Sequence, residues 1–249
     1  MRLTVLGSSP SWPNPGEAQS GYLLDLPGGR LLLDLGNGVL SRLRTVAGGA
    51  PDAIVLSHLH PDHIGDLFPL TCGLIWGPLG WPRPTLYLPP GGRVVLSEAG
   101  QASGTELSTI ERAMDVREYR TSTPLEIAGA RLSFTRTTHS AYSYLIRVEA
   151  DGRALAYTGD TPPNGALGAA AAGCDLLLAE ATHLDASEDG ADGRMHLTAG
   201  EAAAAAAAAG ATRLVLTHLA AERRDESLQR ARAVFTATEL ALPGAVFEV

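Results

Sequence analysis

The 249-residue sequence contains no lysine: all 19 basic residues are arginines, set against 27 acidic ones, for a net charge of −8. No arginine run exceeds Arg223-Arg224, and that pair is embedded among Glu222, Asp225 and Glu226. A long nucleic acid is therefore disfavoured as a partner, because holding a phosphate backbone needs a positive footprint. Cysteine is nearly absent. Cys72 and Cys174 cannot build a disulfide framework, and in apolar surroundings both are expected as buried thiols. No apolar stretch is long enough to span a bilayer. The start, Met1 to Gly7, reads as a strand and a turn, too short and too lightly flanked for a signal peptide. The expectation is a cytoplasmic protein with no membrane contact.

The 45% hydrophobic content is that of an ordinary globular chain, and residues 1–249 are expected to form a single domain. Short apolar or β-branched runs predict strands at Leu3–Leu6, Tyr22–Leu26, Arg30–Leu35, Ala53–Leu56, Thr85–Leu88 and Val116–Arg120. Six more are predicted at Arg131–Thr135, Ser143–Val148, Ala154–Thr158, Leu176–Ala179, Leu214–Leu216 and Ala245–Val249. Helices are predicted at Val39–Val46, Asp66–Ile75, Glu106–Met114, Ala199–Ala209 and Glu222–Thr238. Early hairpins followed by alternating strands and helices point to an α/β protein, two sheets packed face to face with helices outside. The eight alanines Ala202–Ala209 are not low complexity in the usual sense. Thr198-Ala199-Gly200-Glu201 is a capping box ahead of them and Gly210 a left-handed stop behind them, so the run is a capped helix.

The densest chemistry lies at His58-Leu59-His60-Pro61-Asp62-His63, directly after the buried-strand pattern Ala53-Ile54-Val55-Leu56. A lone histidine is more often a surface or satisfied core residue. Four ligand-type groups in six positions after an apolar strand are different, because gathering them without an ion would waste burial. Imidazoles with a carboxylate suit zinc, manganese or iron. His139, His196 and His218 each sit beside the end of a strand pattern; His183 does not, and is expected in a surface loop.

This hexad resembles the signature of the metallo-β-lactamase superfamily. Further segments follow in that family's order: Thr137-Thr138-His139-Ser140, Tyr157-Thr158-Gly159-Asp160-Thr161 and Leu214-Val215-Leu216-Thr217-His218. The resemblance runs over nearly the whole chain and implies the αββα sandwich of two mixed sheets. It also implies a dinuclear site with two divalent ions, zinc first, with manganese or iron also accepted. His58, His60 and His139 would hold one ion, Asp62, His63 and His218 the other, and Asp160 would bridge them. A hydroxide shared by the two ions would attack the substrate, so Asp62 counts as catalytic as well as a ligand. Asp34, ending Leu31-Leu32-Leu33-Asp34-Leu35-Gly36, resembles the family's Asp-x-Gly turn and would steady the ligating imidazoles.

Glu180-Ala181-Thr182 and Met195-His196-Leu197-Thr198 resemble segments of the ribonuclease Z branch, in which His196 would be the general acid and Glu180 its orienting carboxylate. In that branch a transfer-RNA-gripping arm lies between the third-motif histidine and the bridging aspartate. Here His139 and Asp160 are only 21 positions apart, an interval read as a hairpin through Asp151-Gly152. The chain is therefore most similar to short, armless bacterial phosphodiesterases of this branch, some of which hydrolyse cyclic AMP. A small phosphodiester is the expected substrate, a homodimer the expectation from resemblance, and Trp76 and Trp81 are candidates to stack on a base. Alternatives are a transfer-RNA 3′-processing endonuclease, a thioester or lactone hydrolase, and a metal-binding sensor without catalysis.

Overall fold

Leucine-rich runs bounded by glycine, proline and aspartate become short strands in a computed structural model of the chain, which describes residues 1–46, 49–188 and 193–249. The N-terminal half supplies β1 (Arg2–Gly7), β2 (Gly21–Leu26), β3 (Gly29–Leu33), β4 (Ala53–Val55), β5 (Thr85–Leu88) and β6 (Asp115–Glu118). The C-terminal half supplies β7 (Leu125–Ile127), β8 (Ala130–Arg136), β9 (Tyr144–Ala150), β10 (Arg153–Tyr157), β11 (Leu176–Glu180), β12 (Arg213–Thr217) and β13 (Thr238–Leu240). A last strand, β14 (Val246–Glu248), returns to the first sheet. Two seven-stranded sheets result, ordered β14-β1-β2-β3-β4-β5-β6 and β13-β12-β11-β10-β9-β8-β7. Each is antiparallel through its hairpins and parallel across its later strands, so the two halves repeat one pattern.

The central strands are buried on both faces, and the period of two assigns each side chain to a layer. Leu176 and Leu178 of β11 face the core between the sheets, while Leu177 and Ala179 face outward. Likewise Leu31 and Leu33 of β3 point inward and Leu32 outward. Helices cover both outer faces. Around the first sheet are α1 (Val39–Val46), α2 (Pro61–Ile64), α3 (Leu67–Ile75), α4 (Gly92–Ser103) and α5 (Leu107–Ala113). The second is covered by α6 (Ala166–Ala170), α7 (Ala199–Ala209) and α8 (Arg224–Arg232). This is the expected αββα sandwich.

The alanine helix α7 buries Ala202, Ala203, Ala206 and Ala209, the spacing of one helical face. Its small side chains let it lie close to β11 and β12 and against α6, where a Cβ on Gly168 would stand 3.3 Å from Ala208 Cβ. The capping box is complete: Glu201 N–H donates to Thr198 Oγ1 at 3.3 Å and Thr198 N–H to Glu201 Oε2 at 2.8 Å.

The structure departs from the sequence reading at several points, the short helices α2 and α6 among them. Helix α4 was not expected, because it opens on Gly91-Gly92 and contains Gly100, all poor helix formers. Gly100 is needed for packing, since a Cβ there would meet Thr105 O at 2.4 Å. The predicted helix Glu222–Thr238 stops at Arg232, and Thr238 begins β13, paired parallel with β12. Strand β7 is too short to show alternation and is fixed by its hairpin partner β8 across the turn Ala128-Gly129. Of the two thiols only Cys174 is buried; Cys72 lies on the exposed side of α3.

Candidate metal centre

The parallel strands end at one edge of the sandwich, where loops from both sheets meet. Asp34 follows β3, the hexad follows β4, His139 follows β8, Asp160 follows β10, Glu180 ends β11 and His218 follows β12. Two of these residues adopt left-handed backbone, Asp34 at φ 58° and His218 at φ 59°. Among the described residues the other two non-glycine positions with positive φ, Ala128 and Asp151, occupy hairpin turns. Strain at a strand end is characteristic of a functional loop. Gly36 allows the loop after β3 to touch the hexad: a Cβ there would lie 2.0 Å from Asp62 O. The Leu35 amide donates to His63 O at 2.8 Å, fastening the two loops.

The seven residues predicted as ligands converge. His58, His60, His139 and Asp160 form one group of donor atoms lying within 4.8 Å of one another, and Asp62, His63, Asp160 and His218 form a second. Asp160 belongs to both. Its Oδ2 stands 3.8 Å from His58 Nε2, 4.0 Å from His139 Nε2 and 3.6 Å from His218 Nε2, while its Oδ1 is 3.4 Å from His63 Nε2. His139 Nε2 and His60 Nδ1 face each other at 3.2 Å, and His218 Nε2 lies 3.0 Å from Asp62 Oδ2.

Among the described residues, three buried polar atoms at this point have no hydrogen-bond partner: His58 Nε2, His63 Nε2 and Asp160 Oδ1. An orphaned buried polar atom costs about 1–3 kcal/mol. Three such atoms in one cluster of nitrogen and oxygen donors fit a site built for cations. The electrostatics agree. Burial, foremost, holds His58, His60 and His139 below the ordinary imidazole value, leaving neutral rings with lone pairs. Burial opposes ionisation of Asp160 and Asp62 too, but the surrounding histidines hold both well below the ordinary carboxylate range. For His63 burial is likewise the largest influence, yet Asp160 and Asp34 overcome it and hold the ring well above its usual value. The carboxylates thus draw positive charge into the site.

Behind these donors lies a second set of contacts. Asp34 is fully buried and accepts from Ser57 N at 2.7 Å, Ser57 Oγ at 2.7 Å and the Tyr157 hydroxyl at 2.7 Å, and is hydrogen-bonded to His63 Nδ1 at 2.8 Å. Ser57 Oγ also meets His58 Nδ1 at 3.1 Å. On the other side Glu180 accepts from the Thr161 amide at 2.8 Å and stands 3.0 Å from His196 Nδ1. Thr182 Oγ1 donates to Glu180 Oε2 at 2.9 Å and lies 2.7 Å from His218 Nδ1. Glu180 and His196 therefore sit together as the sequence suggested, with His196 Nδ1 3.9 Å from Asp160 Oδ2.

His183 is not the surface residue expected. Its side chain is 14% exposed, Thr198 bridges to it across the loop, and its ring packs edge-on against His196 with centroids 5.4 Å apart. Of the two tryptophans, Trp76 is 66% exposed at the end of α3, and Trp81 packs on the outer core of the first sheet. Sequence reasoning missed Ser57, Tyr157 and Thr182. The alternation along β10 and β11 was the available signal, since it puts Tyr157 on the inner face and Thr182 on the same side as Glu180.

The chain matches the beta-lactamase superfamily domain over residues 29–219. It is 34% identical over 242 residues to the uncharacterized Mycobacterium tuberculosis protein Rv1339, covering 94% of this chain and 87% of that one. The probable metallo-hydrolase YhfI of Bacillus subtilis is 34% identical over 221 residues, 88% of this chain and 87% of its own. The crystal structure of YhfI superposes with a TM-score of 0.85 over 100% of this chain and 98% of that one, at 28% identity. A ribonuclease Z of Mycobacterium marinum is 30% identical over 239 residues, 88% of this chain and 86% of its own.

Proposed function

The chain belongs to the beta-lactamase superfamily, and on that premise we propose that it hydrolyses a small phosphodiester, a cyclic nucleotide being the leading substrate class. It is a metal-dependent hydrolase by membership, and residues 1–249 act as one unit. The observation that carries the finer reading is the His196–Glu180 pair, 3.0 Å apart and beside Asp160, at the rim of two overlapping donor groups. His58, His60 and His139 would hold one divalent ion, Asp62, His63 and His218 a second, with Asp160 common to both; zinc, manganese and iron all accept such donors. Two such ions supply an activated water and neutralise charge on the phosphoryl oxygens.

The chain's own residues do the rest. Asp34 fixes the orientation of His63 and, through Ser57, of His58. Glu180 holds His196 at Nδ1, so that a proton carried at Nε2 reaches the leaving oxygen. The interval from His139 to Asp160 is filled by β9 and β10 and their two-residue turn, which supports a small substrate over a gripped RNA. No helix among the described residues is long and apolar enough to cross a membrane. A cytoplasmic enzyme acting on a diffusible substrate completes the proposal.

The kinship to a ribonuclease Z supplies the competing substrate. The deciding experiment measures turnover of 3′,5′-cyclic AMP by zinc- or manganese-loaded protein of known metal content, with a precursor transfer RNA in parallel. Release of AMP with intact RNA is expected. Cleavage of the RNA alone would overturn the reading, and action on neither would move the assignment to thioesters or lactones.

A further inference from the structure

Beside His60 a cavity of about 460 Å³ opens between the two halves of the molecule. It lies within the size range of small-molecule sites. Leu59 of the hexad and Pro89, Pro90 and Val95 from the end of β5 and the start of α4 form its apolar walls, and Tyr142 from the loop between β8 and β9 closes the other side. Its two ends differ in chemistry. At the near end are His60 and Ser140, whose hydroxyl lies 3.2 Å from His60 Nε2, while His60 Nδ1 faces the first donor group.

At the far end the opening amides of α4 are already engaged. Gly92 N–H donates to Pro89 O, Arg93 N–H to Glu118 Oε1 and Val94 N–H to Gly91 O. That end offers no hold for an anion, and Glu118 makes it less hospitable still. Tyr142 is 61% exposed although it stands at the mouth of the site, and the guanidinium of Arg136 lies 4.3 Å over its ring. A ring braced by a cation on one face is a platform for a flat group on the other.

We propose that this cavity receives the aromatic base of a nucleotide substrate, stacked on Tyr142, while the phosphate lies at the His60 end. The inference rests on the phosphodiester reading and adds the base-bearing class and the residue that selects it. Among its described lining side chains only His60, Ser140 and the Tyr142 hydroxyl are polar, so recognition is by stacking, and discrimination between bases is weak.

The test is calorimetric binding of AMP, ribose 5-phosphate and hexyl phosphate to the zinc-loaded protein, for the native chain, Tyr142→Phe and Tyr142→Ala, alongside turnover of cyclic AMP. The exposure of Tyr142 keeps both variants foldable. AMP is expected to bind roughly 5- to 150-fold tighter than ribose 5-phosphate, the usual worth of one stacked base. Tyr142→Phe should keep that ratio and Tyr142→Ala should collapse it. AMP binding no better than ribose 5-phosphate, a ratio unchanged in Tyr142→Ala, or tighter binding of hexyl phosphate would each overturn the proposal. Stacking without cyclic AMP turnover would instead leave the pocket standing and remove the phosphodiester reading.

Discussion

At the scale of single residues the site separates groups that face the two donor clusters from groups that aim them. His196 tests that separation. It is bound at Nδ1 to Glu180 and lies outside the two Asp160-centred groups, although it approaches His218 and Glu180 in a third. His196→Ala should therefore retain the metal content of the native protein while kcat falls roughly 100- to 10,000-fold, the usual worth of a positioned acid. Added imidazole should restore part of the rate. Metal analysis and kinetics on the same preparation decide it, and loss of an ion in step with activity would make His196 a ligand. The sequence shows His196 only because a strand pattern and a capping box bracket it; that it meets Thr182 and His183 depends on a loop return that no local pattern encodes.

Among elements, α7 is the one whose local signals are complete, and its observed limits are those read from the sequence. Cap, stop and apolar face all agree there, whereas α4 is hidden by glycines that serve packing rather than helix formation. Helix α7 also fixes the backbone two residues after His196, so its cap ties stability to the site. Thr198→Ala should lower unfolding stability by about 1 kcal/mol, read as a shift in the urea midpoint. Glu201 adds a pH dependence. Burial alone would raise its carboxyl, yet hydrogen bonds from Arg194 and Thr198 hold it below the ordinary value. A depressed folded value means that the stabilisation is present above the unfolded value and is lost as pH falls through the folded one. The gap in urea midpoint between the native chain and Glu201→Gln should hence be constant near neutrality and shrink below about pH 4.5. A gap that widens with acid would show that the charge on Glu201 does not support the cap.

Across the whole molecule the donors are divided between the sheets, and this division is what sequence order alone could not place in space. Asp34 and the hexad belong to loops of the first sheet; His139, Asp160, Glu180 and His218 belong to the second. The two sheets are also joined through an apolar core of leucines and tyrosines, in which the Tyr22 and Tyr157 rings meet at a tilt with centroids 5.0 Å apart. Ions shared by donors of both sheets would therefore act as a clamp across the open edge, binding the folded chain and not the unfolded one. At free metal 100-fold above the dissociation constant such binding stabilises by about 2.7 kcal/mol per site. Chelation should accordingly lower the melting temperature by several degrees, as expected for a chain of this length. In Asp160→Ala, which loses the carboxylate common to both groups and with it the bound metal, the chelator should have little further effect. Calorimetric scans with and without chelator on both proteins check this directly. Equal drops in the two would mean that the metal effect does not run through the junction of the sheets.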